Sequence, residues 1–167
     1  MKELLYGALL TGLALLIPLA FQGWLQVYLP PFTATLGSHV PSMLAMTISP
    51  WAAVLVGIGS SFGFLITLGP LVAARAMVHI AFGLVGALLI QRGFKLWQSL
   101  LLVLPIHALG EALIVMPFGL GWYQSLVVVG IGTVLHHLAD GAITAALYKA
   151  LTKAGVPLAQ SMTLKNR

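Results

Sequence analysis

The strongest constraint on this chain is a set of five long apolar stretches, each close to the length of a membrane crossing. A bilayer-spanning helix takes about 20 mostly apolar residues. The five stretches are 4–21, 51–68, 70–90, 97–117 and 122–150. Of the 167 residues, 60% are hydrophobic and only 7% are charged, whereas a soluble domain carries about 25% charged residues. The composition therefore predicts an integral membrane protein.

A shorter apolar segment, 38–49, decides the number of crossings. Lys and Arg collect in cytoplasmic loops, and here they occur at the N-terminus, around residues 92–95 and near the C-terminus. If 38–49 crosses the membrane, all of these basic residues lie on one side. If it does not cross, Arg92 and Lys95 lie opposite Lys2. We therefore predict an all-α bundle of six transmembrane helices with a short second helix and both termini in the cytoplasm of a prokaryotic cell.

The longest connection, 22–37, is then an outer loop, and we expect a single bundle domain over 1–151 followed by a short basic cytoplasmic tail at 152–167. Two interpretations of the loop stay open: a plain connector with interfacial aromatic anchors, or a lid over an outward-facing pocket. The aromatic side chains expected at this outer surface, which could shield or stack on the ring of a ligand, are Trp24, Tyr28 and Trp122.

Two charged residues lie inside predicted spans near the outer surface. At about 1.5 Å per residue, Arg75 is roughly 8 Å deep and Glu111 roughly 9 Å deep, so the two are level. His79 follows Arg75 by one turn, and His107 precedes Glu111 by one turn. Charges within a span cost at least about 2.5–3.5 kcal/mol each and are candidates for function. Either the two charges only clamp their helices together, or Arg75 offers its planar donor fork to an anionic or carbonyl-rich ligand.

His39 opens the short second helix at the same outer level and is a further candidate for the pocket. Asp140 and His136 differ, since Asp140 lies roughly 27 Å along the last helix by its rise. That depth places it near the cytoplasmic face, where the pair is expected to act as a helix clamp.

The spacing of His107 with Glu111, and of His136 with Asp140, is one at which helical pairs bind zinc. We nevertheless predict no metal site, because helical rise separates the two pairs by roughly 10 Å or more and the chain has no cysteine.

Other functional classes have little support in the sequence. No catalytic residue is predicted, because Ser60 and Ser61 lie in a run of small residues typical of close helix packing. The phosphate-binding motif G-x-x-x-x-G-K-[ST] is absent, so we expect no cofactor on this chain and no ATPase site of its own. The net charge of +5 follows membrane topology and does not indicate nucleic acid.

The first helix carries two small-xxx-small pairs, Gly7 with Thr11 and Ala8 with Gly12. Small residues let helices approach closely within lipid. The pairs indicate either packing inside this bundle or the docking of a partner membrane subunit.

Taken together, these features resemble the substrate-binding S-components of energy-coupling factor (ECF) transporters. The resemblance covers nearly the whole chain: six spans, the small-residue face of helix one, and the long outer loop before a short second helix. The stretches FTATLGSHVPSMLAMTISPWAA and RAMVHIAFGLVGAL are most similar to niacin-type members, with cobalamin-type members next.

The resemblance implies a B-group vitamin captured from outside in a pocket closed by loops one and three. It also implies docking on a coupling module of one membrane T-subunit and two ATP-hydrolysing subunits, through the face formed by Gly7, Ala8, Thr11 and Gly12. Loop three is only the turn at 67–70, shorter than the gate of many members. We expect a carboxylated vitamin such as nicotinate, with Arg75 as its carboxylate partner.

Two rival functions stay open. One is an autonomous ion-coupled or metal-ion transporter that uses the His/carboxylate pairs. The other is a structural membrane subunit whose buried charges only fix helix packing.

Overall fold

The computed structural model describes residues 2–21, 23–156 and 158, which form a bundle of helices. The α-helices are α1 Lys2–Ala20, α2 Val40–Ala45, α3 Pro50–Thr67, α4 Pro70–Gln91, α5 Leu96–Ile114 and α6 Gly132–Lys153. A 3₁₀ turn, Met116–Phe118, and a π-helical segment, Tyr123–Ile131, connect α5 to α6. Residues 157 and 159–167 of the predicted basic tail, with Lys165 and Arg167, lie outside the described residues.

Five helical segments of the described chain are long and apolar enough to cross a membrane. This confirms the predicted helical membrane bundle. The second segment differs from them, because α2 has only six residues, all of them buried among the other helices. Non-helical backbone at membrane depth is tolerated where protein surrounds it, so the turns on either side of α2 are compatible with a position inside the bundle.

Helices α1 and α3 run parallel to each other. Gly7 faces Ala52 and Leu55, Thr11 packs on Gly59, and Leu15 packs on Gly63. Because α1 and α3 run in the same direction, the chain must return between them to the end of the bundle at which α1 begins. The segment 36–49 provides this return. It starts at Gly37 beside Ile17, and Met46 reaches Gly86 near the far end of α4.

Proline and glycine mark several of the helix boundaries. Pro50 and Pro70 stand in the first turns of α3 and α4, where a missing N–H is tolerated. Gly69 adopts a φ of +88° between these two helices, and its N–H bonds to the carbonyl of Phe64. Gly93 adopts a φ of +95° after α4. Both are left-handed positions that favour glycine, so the short turns at 67–70 and 92–95 follow directly from the sequence.

The long connection contains a β-hairpin that the sequence analysis did not include. Strand β1, Gln26–Leu29, pairs antiparallel with β2, Phe32–Thr35, so that Tyr28 stands opposite Thr33. Most of β1 is exposed, whereas β2 is largely buried against the bundle. The hairpin therefore lies over one end of the helices, and β2 faces inward.

The packing places the turn at 92–95 and the turn at 116–119 at opposite ends of α5. Because the chain has no cysteine, the variants Arg92→Cys and Phe118→Cys each carry a single exposed thiol. We expect an impermeant thiol reagent to label Phe118→Cys in intact cells, and to label Arg92→Cys only after the membrane is opened. Labelling of Arg92→Cys in intact cells would contradict the predicted orientation.

Candidate functional site: a polar cavity beneath the hairpin

A cavity lies between the hairpin and the helices. Its volume is about 70 Å³, counted as the space open to the centre of a water molecule. It is lined by residues from α1, both strands, the loop before α2, and α3 to α6: Pro18, Gln26, Thr33, Ala34, Thr35, Ser38, His39, Phe64, Leu68, Val72, Arg75, Ala76, His79, Glu111 and His136. The structure thus brings Arg75, Glu111, His79 and His39 together, and both loop one and the short turn at 67–70 contribute to the walls.

Arg75 and Glu111 form a buried ion pair across α4 and α5. The Arg75 Nε and NH2 groups both donate to Glu111 Oε2, at 2.9 and 2.7 Å. Arg75 NH1 donates to the backbone carbonyl of Thr33 at 3.2 Å, and the guanidinium carbon lies 5.0 Å from the centre of the Phe32 ring. The guanidinium is therefore bound to the hairpin as well as to α5, and it contacts an aromatic face.

Glu111 is also hydrogen-bonded from α6. Thr133 Oγ1 donates to its Oε2 at 2.7 Å, so this oxygen accepts from two residues. The other oxygen, Oε1, faces His107 Nε2 at 3.2 Å and His79 Nε2 at 3.8 Å. One carboxylate thus contacts α4, α5 and α6 from within the bundle.

A second carboxylate, Asp140, binds the chain just before α2. Its Oδ1 accepts from the N–H of Gly37 at 2.6 Å, and its Oδ2 accepts from the N–H of His39 at 2.9 Å. His136 Nε2 lies 3.1 Å from Asp140 Oδ2 and 3.0 Å from the carbonyl of Thr35. Because both of those atoms can only accept, this nitrogen carries a proton and donates to them. Asp140 and His136 therefore fix loop one to α6.

The predicted depth of Asp140 was wrong. The prediction counted residues from Trp122 as though the last helix began level with its neighbours. Thr133 is in fact level with Glu111, and Gly130 still packs on Ala112 of α5, so only the first part of the π-helical segment extends beyond the end of α5. Asp140 consequently lies beside His39 in the middle of the bundle, and not near the opposite face.

The structure does not bring the three predicted aromatic residues to the cavity. Trp24, Tyr28 and Trp122 are 88%, 74% and 72% exposed. The aromatic residue that lines the cavity is instead Phe64. The ring of Phe32 packs on Gly132 and lies beside Arg75. A signal for it existed in the sequence, since the alternating FTAT run after two prolines is typical of a half-buried strand.

All five histidines of the chain lie in one buried group with Glu111 and Asp140. The expected separation of the two His/carboxylate pairs in depth was therefore wrong, because the ring of His39 lies 4.6 Å from that of His107 and 4.3 Å from that of His136. Among the described residues, two sets have donor atoms close enough together for a metal ion: His39, His79, His107 with Glu111, and His39, His136 with Asp140.

The two small-residue pairs of α1 face different ways. Gly7 and Thr11 face α3, and the Thr11 hydroxyl donates to the carbonyl of Gly7. Ala8 and Gly12 are exposed, and a Cβ placed on Gly12 would meet no atom within 4 Å. The first pair therefore packs inside the bundle, while the second pair lies on an outward face.

Comparison with known proteins supports the resemblance to niacin-type S-components. The chain is 28% identical over 172 aligned positions to the niacin transporter NiaX of Lactococcus lactis subsp. cremoris, covering 92% of this chain and 76% of that protein. It is a relative of a niacin transporter. No protein-family model matches the chain, and no solved structure matches it. The similarity covers nearly the whole chain and supports a role in membrane transport.

Removing the Glu111 charge should destabilise the bundle. A buried ion left without its partner costs about 3–5 kcal/mol, so Glu111→Ala should strongly lower the free energy of unfolding in detergent. The double variant Arg75→Met/Glu111→Leu removes both charges and should recover much of that loss. Glu3→Ala, at an exposed glutamate, is the matched control and should change little. Equal stability of Glu111→Ala and Glu3→Ala would show that the pair contributes nothing to folding.

Proposed function

We propose that this protein is the substrate-binding S-component of an ECF-type importer, and that it captures a pyridine carboxylate such as nicotinate from outside the cell. The observation that carries the proposal is the placement of Arg75 in the cavity wall. A buried guanidinium beneath an extracellular lid suits a small anionic ligand. The similarity to a niacin transporter supports the same ligand class.

Arg75 keeps donors for such a ligand although it is paired. A guanidinium has five N–H groups. Two of them bind Glu111 and one binds Thr33, which leaves one on NH1 and one on NH2. These two remaining donors suit an anionic group such as a carboxylate. Glu111 then orients the fork, so the clamp and the ligand-binding interpretations of the pair are compatible.

The size of the cavity favours a small vitamin. At about 70 Å³, the cavity is far smaller than the pockets of roughly 300–1,000 Å³ that hold drug-sized ligands. That space suits a single substituted ring and is far too small for cobalamin in this conformation. Neither ring nitrogen of His79 has a hydrogen-bond partner among the described residues, so both are available to the polar atoms of a ligand.

The energy for uptake would come from partner subunits. The sequence has no phosphate-binding loop of the ATPase type, and the family resemblance implies one membrane T-subunit and two ATPase subunits. The exposed Ala8/Gly12 face of α1, which is the least buried of the long helices, is the surface we assign to the T-subunit. The termini and the turn at 92–95 would then lie in the cytoplasm. An autonomous ion-coupled carrier is the rival function.

Loss of the Arg75 fork should abolish capture of the ligand. We expect Arg75→Ala to bind no nicotinate in a calorimetric titration. Arg75→Lys, which keeps the charge beside Glu111 but loses the planar fork, should bind at least about tenfold more weakly, equivalent to about 1.4 kcal/mol. Arg92→Lys, at an exposed arginine, is the control and should bind normally. Unchanged affinity in a folded Arg75→Lys sample would refute the assigned role.

Enlarging the outward face of α1 should weaken assembly without affecting capture. Ala8→Leu and Gly12→Leu place side chains where close helix approach is needed, so less T-subunit and ATPase should co-purify with them. Ala81→Leu adds the same bulk at an exposed position of α4 and should leave assembly intact. If the unaltered protein never retains ATPase subunits but still transports nicotinate, the autonomous carrier is the better description.

A further inference from the structure

We propose that His39, His79, His107 and Glu111 form a binding site for a divalent transition-metal ion at the inner wall of the cavity. This inference concerns a second ligand and does not depend on whether a vitamin binds. It starts from the protonation states that the hydrogen bonds around His107 require.

The first step concerns His137. Its Nε2 lies 3.0 Å from the carbonyl of Leu100, which can only accept, so Nε2 carries a hydrogen. The ring is 1% exposed, and its other hydrogen-bond partner among the described residues is His107. With no carboxylate bonded to it there, a positive charge on this ring would cost several kcal/mol. His137 is therefore neutral, and its Nδ1 is an acceptor.

The second step fixes His107. Its Nδ1 lies 2.8 Å from His137 Nδ1, so His107 donates from Nδ1. In the neutral ring the Nε2 atom then carries a bare lone pair. That atom lies 3.2 Å from Glu111 Oε1, which is also an acceptor. Two lone pairs thus face each other within the bundle, an arrangement that requires a cation between or beside them.

The third step distinguishes a metal ion from a proton. A proton on His107 would satisfy this one contact but would leave both ring nitrogens of the buried His79 without a partner in the described part of the chain. His79 Nε2 lies 3.8 Å from the same Glu111 oxygen. Ligand atoms around tetrahedral zinc are about 3.3–3.4 Å apart, given bonds of about 2.0–2.1 Å. One donor atom from each of the four residues lies within 4.8 Å of the others, so small side-chain movements complete the coordination.

The surroundings of the site match those of metal ligands. A metal-bound histidine usually donates its other N–H to a supporting acceptor, as His107 does to His137, which in turn donates to Leu100. Three imidazoles and one carboxylate suit zinc and its neighbours such as cobalt or nickel. The alternative set around Asp140 is less suitable, because both of its oxygens already accept N–H donors from residues 37–39 and His136.

The test measures Zn²⁺ binding by protein purified without a histidine tag. We expect one Zn²⁺ per chain by metal analysis after dialysis, and a visible spectrum of tetrahedral Co²⁺ when cobalt replaces zinc. His79→Ala should lower Zn²⁺ affinity at least about 100-fold, and His137→Ala, which removes only the supporting acceptor, about 10–100-fold.

Ser99→Ala is the matched control, since it removes a buried polar group of α5 that lies outside both metal-ligand sets and outside the cavity lining. It should leave Zn²⁺ affinity within about threefold, a change of about 0.7 kcal/mol or less. Circular dichroism would establish that each variant is folded. Loss of binding in His136→Gln with retention in His79→Ala would overturn the assignment in favour of the Asp140 set. Failure of the unaltered protein to retain Zn²⁺ would show that a proton alone occupies the contact between His107 and Glu111.

Discussion

The site depends on one carboxylate, that of Glu111. A charge in the apolar interior is tolerated only when it is paired and hydrogen-bonded, and Glu111 meets this requirement with the guanidinium of Arg75 and the hydroxyl of Thr133. Arg75, Glu111 and Thr133 come from three separate helices. The same pairing holds Arg75 at the cavity wall, where the guanidinium also binds the carbonyl of Thr33. The position of the hairpin over the cavity is therefore linked to an ion pair inside the bundle.

Much of this arrangement was predictable from the sequence. The five long apolar segments determined the helical membrane class, and Pro and Gly marked the turns at 67–70 and 92–95. The level positions of Arg75 and Glu111 followed from helical rise, and the two residues do form a pair. Because burying an unpaired charge is costly, two opposite charges at the same depth are expected to form an ion pair.

The remainder depended on tertiary geometry that periodicity does not encode. The hairpin was missed because its strands are only four residues long and lie between prolines and glycines that also suit a loop. The depth of Asp140 was misjudged because the first part of the π-helical segment before α6 extends past the end of α5. Both errors concealed the same fact, namely that loop one returns into the bundle and brings His39 to the other histidines. Trp24 and Tyr28 were likewise assigned by their position in loop one. The strand register decides which aromatic side chain of the hairpin points inward.

The hydrogen bonds that Asp140 accepts from the backbone before α2 have a consequence for how a solute enters the cavity. The amide hydrogens of Gly37 and His39 are bound by a side chain of α6, so the base of the hairpin is tethered to that helix. Access to the cavity therefore cannot come from a movement of the entire loop away from the bundle. The part that moves must be its tip and first strand, which are the more exposed parts of the hairpin, while the anchored base keeps His39 beside the other histidines.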